Sequence, residues 1–234
     1  MDALQSLWVT VRDLGSHIGL EMQRNLLIPT NQLVKRALDL VLGTTALLCS
    51  IPIIVLFGAL VAVISPGPVF YRQTRIGMDG HLFSLWKLRT MVPDADKMLL
   101  QVIQASVDAQ SDWHQSMKIK SDPRIIPVLG HIMRRFSIDE LPQFWNVLRG
   151  DMSLVGPRPL PSYHVERLDP AADRIRRRVR PGVTGLWQVS GRSATSIDDQ
   201  ERLDTYYVRN WSLWLDIHIL ARTVLVVLTG RGAW

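Results

Sequence analysis

Two adjacent carboxylates, Asp139-Glu140, and an arginine framed by prolines, Gly156-Pro157-Arg158-Pro159, are the residues best suited to chemistry in this chain. The carboxylates stand at the start of a helix expected over Leu141–Leu148. Free amides and the helix dipole at such an end stabilise negative charge, including that of a phosphoryl group. Helix neighbours point about 100° apart, so the two carboxylates could divide two tasks, nucleophile and metal ligand. Ser137-x-x-Glu140 equally fits a capping box, in which case the pair only completes a helix end. Around Arg158 the prolines lower the cost of ordering the backbone, and a planar guanidinium suits phosphate oxygens. A rigid surface corner would have the same sequence.

Further positive charge lies nearby. Lys87 and Arg89 follow the strand residue Leu85 and are either phosphate contacts or a solvated strand end. The glycine-rich turn Arg180-Pro181-Gly182-Val183-Thr184-Gly185-Leu186-Trp187-Gln188 permits close approach of backbone to a ligand. Arg180, Gly182, Gln188 and Arg192 are the candidate nucleotide contacts there. Arg174, Arg176, Arg177, Arg178 and Arg180 form a basic run, solvated or facing lipid headgroups. The six histidines are scattered, and neither a GxGxxG loop nor a Walker A loop is present, which gives a zinc site, a Ser-His-Asp hydrolase or a P-loop little support.

The element that must position these groups is an uncharged run from Leu40 to Tyr71, flanked by Lys35 and Arg36 before it and Arg72 and Arg75 after it. Leu40–Ile64 exceeds the roughly 20 residues that a span needs. Pro52 divides it into halves too short to cross, and both flanks carry the positive charge favoured on the cytoplasmic side. The expected form is a re-entrant helix that bends at Ser50–Pro52 and leaves on the side it entered. A straight span with a tolerated proline and a buried soluble helix are the alternatives.

Residues 1–28 read as an amphipathic helix, with Leu4, Leu7, Val11, Leu14, Ile18 and Met22 at helical spacing, and Pro29–Asn31 as a break. Ser65-Pro66-Gly67-Pro68 stops the apolar helix. Val69–Gln73 and Leu82–Leu88 read as a hairpin around Asp79-Gly80. Helices are expected over Asp94–Val107, Val128–Phe136, 171–179 and Ile197–Val208, and strands over Met152–Val155 and Thr184–Val189. Trp211–Leu228 is a final amphipathic helix, because Asp216 and Arg222 make a span costly. Trp8, Trp211, Trp214 and Trp234 are suited to a lipid interface or to an ordinary core. The whole is expected to be an α/β, mostly helical fold: a re-entrant membrane helix, amphipathic interfacial helices and a small cytoplasmic domain with a short β-hairpin.

Composition is consistent with this. The chain has 234 residues, is 47% hydrophobic and carries a net charge of +6, which suits anionic lipid or phosphorylated ligands. Nucleic acid is not an expected partner, since no recognition motif is visible. The first 35 residues lack the pattern of a secretory signal, so the globular part is expected in the cytoplasm. The single cysteine, Cys49, can form no intrachain disulfide.

In this order the segments resemble the bacterial sugar transferase family, the monotopic polyprenyl-phosphate hexose-1-phosphate transferases. The resemblance rests on Lys35-Arg36-Ala37-Leu38-Asp39, Ser65-Pro66-Gly67-Pro68-Val69-Phe70, Lys87-Leu88-Arg89-Thr90-Met91, Asp139-Glu140-Leu141-Pro142-Gln143, Gly150–Pro159 and Arg180–Gly185, and runs from about Gln32 to Trp234. It implies a UDP-sugar donor, undecaprenyl phosphate as acceptor and Mg²⁺ as cofactor. Asp139 matches the nucleophile, which would form a covalent phosphosugar intermediate with release of UMP. Glu140 matches the Mg²⁺ ligand and Arg158 a substrate-phosphate ligand. The exopolysaccharide branch is the nearest in kind, with galactose-1-phosphate or glucose-1-phosphate as cargo. At the bend Ile51 separates Ser50 from Pro52, where the family often has Ser-Pro directly.

The expected organisation is an N-terminal extension over 1–31 in place of the spans and extra domain of longer relatives, the re-entrant helix over 32–66, and a catalytic domain over 67–234. The expected location is the cytoplasmic face of the inner membrane, with membrane lipids as partners and a homodimer left open. The rival reading is a non-catalytic, membrane-anchored scaffold of a polysaccharide assembly complex.

Overall fold

The computed structural model describes residues 9–13, 18–22, 26, 28–116, 119, 122–190 and 197–230. Its dominant element is one continuous helix, α1 (Pro29–Ile64), of 36 residues. Pro29 does not break the chain but opens this helix, in the first turn, where a missing N–H costs nothing. The helix runs through Pro52 and is not divided there; Ser50 Oγ donates to Leu47 O (2.8 Å) in the turn before it. The helix expected over residues 1–28 is replaced, where described, by antiparallel strands β1 (Val9–Asp13) and β2 (Ile18–Met22). Val9-Thr10-Val11 and Ile18-Gly19-Leu20-Glu21-Met22 also alternate with period two, and β-branched residues favour that solution. The remainder of that expectation lies outside the described residues.

The hairpin forms as the turn residues dictate. Strands β3 (Phe70–Ile76) and β4 (Leu82–Leu88) pair antiparallel, with Tyr71 opposite Lys87 and Arg75 opposite Phe83. Asp79 (φ 53°) and Gly80 (φ 81°) take the paired positive φ of a type I′ turn. Helices α2 (Ala95–Ala105), α3 (Val107–Ser116) and α4 (Leu129–Arg135) follow, α3 having no counterpart in the sequence reading. A 3₁₀ turn, Ile138–Glu140, leads into α5 (Gln143–Arg149). Strand β5 (Ser153–Val155) precedes α6 (Ser162–Val165) and α7 (Pro170–Arg176), and pairs in parallel with β6 (Gly182–Thr184). The apolar stretch expected as a strand over Thr184–Val189 instead forms α8 (Leu186–Ser190) after one residue of β6. Helices α9 (Ile197–Arg209) and α10 (Leu213–Thr229) complete the chain.

Two clusters make the core. The larger joins β4, α5, β5, α9 and α10 through Leu85, Val147, Val155, Tyr207, Val208 and Ile219. The smaller packs Val61, Phe57 and Ile54 of α1 against Leu88, Ile126, Leu129 and Met133. Both ends of α1 are therefore fixed to one body. Near its start, Lys35 Nζ donates to Asp216 Oδ2 (2.7 Å), Arg36 to Val147 O (2.6 Å) and Leu148 O (2.9 Å), and Asp39 Oδ1 accepts from Leu154 N (2.9 Å).

Between these anchors α1 is inverted relative to a water-soluble helix. Its buried positions are Lys35, Asp39, Gly43, Ser50, Gly58 and Val61, mostly charged or small. Its exposed positions are large and apolar, including Val41 (66%) and Val63 (81%). Among the described residues it is the one helix long and apolar enough to cross a membrane, with a mean hydropathy of 2.9. Helix α10 repeats the pattern: Asp216 and Ile219 face inward, while Trp214 (77%), Leu225 and Leu228 face out. Trp211, a candidate interfacial residue, is buried and donates from Nε1 to Asp216 Oδ2 (3.0 Å). Trp8 and Trp234 lie outside the described residues.

Candidate active site

The hairpin, the 3₁₀ turn and the corner after β5 converge on one cluster. Lys87, at the end of β4, donates from Nζ to Glu140 Oε1 (2.8 Å) and lies 3.9 Å from Asp139 Oδ2. Arg158 Nη2 donates to the same Glu140 oxygen (3.2 Å). The four residues come from three separate parts of the chain. Neither carboxylate caps a helix. Ser137 makes no side-chain cap, and Pro142, not Asp139 or Glu140, precedes α5.

The carboxylates are electrostatically unlike. Asp139 is buried, and burial pushes its carboxyl up to about 6; Lys87 pulls it back only in part, and the neighbouring Glu140 charge pushes it further. Burial acts on Glu140 in the same direction, but the close Lys87 and Arg158 outweigh it and hold that carboxyl well below the usual range. One acid is thus a firmly ionised anchor and the other a desolvated, more basic carboxylate, the division expected of a charge-holding residue and a reactive one.

Arg158 is itself held. Arg176 Nη2 donates to Arg158 O (2.8 Å), while Arg176 Nε donates to the buried Asp204 Oδ2 (2.9 Å). Three of the run of arginines are therefore committed within the protein: Arg176 to Asp204, Arg177 to Asp173, and Arg180, which donates to Gly150 O (2.8 Å). Arg174 and Arg178 stay exposed.

Other expected site residues lie elsewhere. Arg89 is buried and does not join the cluster: its guanidinium donates to Pro68 O (2.6 Å), Ser65 Oγ (2.8 Å) and Ser65 O, fastening the end of α1. It lies one residue beyond the end of β4, where strand pairing no longer fixes its side chain on the Lys87 face. Gly182 lacks a side chain for a structural reason, since a Cβ there would lie 2.1 Å from Gly156 N. Gln188 Nε2 donates to Val183 O (2.9 Å), and Arg192 lies outside the described residues. Ser50 and Pro52 sit within α1.

Two cations escaped the sequence reading. Arg134 of α4 donates to Thr90 Oγ1 (3.0 Å) and favours the ionised form of Asp139. Arg75 shares the Lys87 face of the hairpin, since Tyr71 pairs with Lys87, and Gln73 and Arg75 follow at strand spacing. The Asp79-Gly80 turn, which fixes this register, was the available signal. For Mg²⁺, the described residues contain no cluster of three or more ligating side chains. They suit the mode in which one or two carboxylates hold the ion and substrate phosphates complete its shell.

The family model of bacterial sugar transferases matches residues 30–230. The chain belongs to the bacterial sugar transferase family. Among these sugar transferases it is 40% identical over 215 residues to the UDP-galactose-lipid carrier transferase of Erwinia amylovora, covering 92% of this chain and 44% of that protein. It is 41% identical over 206 residues to the exopolysaccharide production protein ExoY of Rhizobium meliloti, covering 88% and 90%. The undecaprenyl-phosphate galactose phosphotransferase of Salmonella typhimurium is 40% identical over 215 residues, covering 92% and 44%. The chain thus spans less than half the length of some sugar transferases it matches and nearly all of others.

Proposed function

We propose that this chain transfers a hexose-1-phosphate from a UDP-sugar to undecaprenyl phosphate, as the first membrane step of exopolysaccharide synthesis. The observation that carries the reading is the pair of unequal carboxylates: Asp139 buried and raised, Glu140 held ionised by Lys87 and Arg158. In the proposed reaction an Asp139 oxygen attacks the sugar-bearing phosphorus. The bond from that phosphorus to the bridging oxygen breaks, and UMP leaves with the electron pair. An oxygen of the lipid phosphate then attacks the same phosphorus, and the carboxylate leaves, giving a lipid diphosphate sugar. Splitting the transfer into two displacements lets one carboxylate serve both. Lys87, Arg158 and Arg134 lower the cost of anion attacking anion. Glu140 is the residue to hold Mg²⁺, which when bound neutralises phosphate charge.

The domain limits inferred for the chain follow the same reading, with 32–66 in the membrane and 67–234 on the cytoplasmic face of the inner membrane. The anchoring of both ends of α1 to one body supports re-entrance. A straight span would place Lys35 and Ser65 on opposite sides, yet Asp216 and Arg89 of the same domain hold them. The outward apolar faces of α1 and α10 support contact with lipid.

The test is UMP release by purified protein in detergent with Mg²⁺, undecaprenyl phosphate and a panel of UDP-sugars. Lipid-dependent release with one sugar is expected, and Asp139→Asn abolishes both turnover and a covalent phosphosugar adduct seen by mass spectrometry. No release from folded protein with any sugar overturns the reading and returns the scaffold role.

A further inference from the structure

Arg75 is absent from the roles assigned above, yet it is built into the site. It is half-buried at the end of β3, on the hairpin face that carries Lys87. Its Nη2 donates to Gln73 Oε1 on the same face, which sets the plane of the fork. Its Nε is buried with no hydrogen-bond partner among the described residues. A buried N–H without a partner is costly and rare, so one that persists beside a reactive centre asks for an acceptor from outside.

The acceptor's charge follows from the surroundings. Ile76 N donates to Leu160 O (3.3 Å), which brings the end of β3 alongside the corner that carries Arg158. A cleft between them is lined by Ile76, Pro157, Arg158, Arg176 and the ion-paired Asp173 and Arg177, so its one acid is already neutralised. Burial, and then the charge of Arg158, lower the Arg75 guanidinium to about 10, which marks two like charges near one another in a poorly solvated place. Four cations, Lys87, Arg134, Arg158 and Arg75, face two carboxylates, Asp139 and Glu140, a surplus of two positive charges. A dianion with several oxygens relieves the repulsion and satisfies the free donor together.

We propose that Arg75 and Arg158 form a two-arginine clamp for a phosphate dianion, with Gln73 holding the Arg75 fork in register. The clamp rests on the transferase reading for its substrates, where the same chemistry comes from two sources: the diphosphate of the nucleotide-sugar or the monophosphate of the polyprenyl lipid.

The experiment separates the clamp from that reading by using inorganic pyrophosphate as a direct probe, read by calorimetry on the full chain in detergent. Wild-type protein binds pyrophosphate, and Arg75→Gln weakens binding by about tenfold or more. Arg75→Lys keeps the charge but loses the fork and falls between the two. Arg72→Gln serves as control, because Arg72 stacks 4.5 Å from Trp86 on the opposite hairpin face, and it stays within about twofold. In turnover, Arg75→Gln raises KM by a similar factor with a smaller change in kcat: KM for the UDP-sugar if the clamp takes the diphosphate, KM for the lipid if it takes the monophosphate. Unchanged pyrophosphate affinity and unchanged KM in both Arg75→Gln and Arg75→Lys overturn the clamp while leaving the transferase reading intact. Pyrophosphate binding lost in Arg75→Gln, with no turnover from wild type, upholds the clamp and overturns the transferase reading. Should Arg75→Gln fail to fold, a loss of about fivefold or more in Arg75→Lys upholds the clamp and full retention overturns it.

Discussion

Replacing the proposed nucleophile is expected to stabilise the protein while destroying its activity. An ordinary aspartate titrates at 3.8, and burial raises Asp139 to about 6. Between those values the folded state binds more protons than the unfolded one, so stability falls as pH rises through the window and the full cost is present above it. The gap between 3.8 and about 6 corresponds to about 3 kcal/mol at pH 7.5 and only a small fraction of that at pH 4. Asp139→Asn keeps the shape of the neutral acid and removes the buried charge. It should therefore raise stability by about 3 kcal/mol at pH 7.5, or about 6–12 °C in Tm for a chain of this size. At pH 4 most of the gain should vanish. Thermal unfolding in detergent at the two pH values, beside the turnover assay, reads both effects. A gain equal at both pH values, or no gain at pH 7.5, would refute the electrostatic account of Asp139. The expected result is the exchange of stability for reactivity found at strained sites.

Other consequences follow from the supports of the site. Arg176→Met leaves the buried Asp204 without its cation and should cost about 3–5 kcal/mol in denaturant unfolding; adding Asp204→Leu should restore stability but not kcat/KM, because Arg158 O has still lost its donor. Topology can be read with a membrane-impermeant maleimide on Ile28→Cys and Leu82→Cys, both exposed sites, in a Cys49→Ser background. Both should label from the cytoplasmic side only, and periplasmic labelling at position 28 would refute re-entrance.

What could be read from the sequence was local. The hairpin was legible because Asp79-Gly80 and the flanking alternation lie within one short stretch, and α10 because its apolar face repeats at helical spacing. Thr184–Val189 misled because a short apolar run fits strand and helix alike, and β5 offers β6 no pairing partner past Thr184. Residues 9–13 and 18–22 satisfied both periods, and strand pairing decided between them. Lys87 and Arg89 look equivalent in sequence, yet Lys87 reaches Glu140, 53 residues away, and Arg89 reaches Ser65, 24 residues back. Composition carries no trace of such pairings. Residue types and spacing picked out Asp139, Glu140 and Arg158, and the resemblance implied their roles, but neither revealed that Arg176 and Asp204 hold Arg158 in place.

The anchoring of α1 also sets an order of events during synthesis. Lys35 leaves the ribosome 181 residues before its partner Asp216. At about 5–20 residues per second that is a delay of roughly 10–40 s. During that time Arg89 can already fasten the far end of α1, but Lys35 lacks its partner on α10. A bilayer is the shelter that its outward face suits, so the helix should enter lipid early and acquire its final orientation late, when α10 arrives to lock Lys35. Chains released before Asp216 would then be membrane-bound but without a settled topology, a natural substrate for quality-control proteolysis.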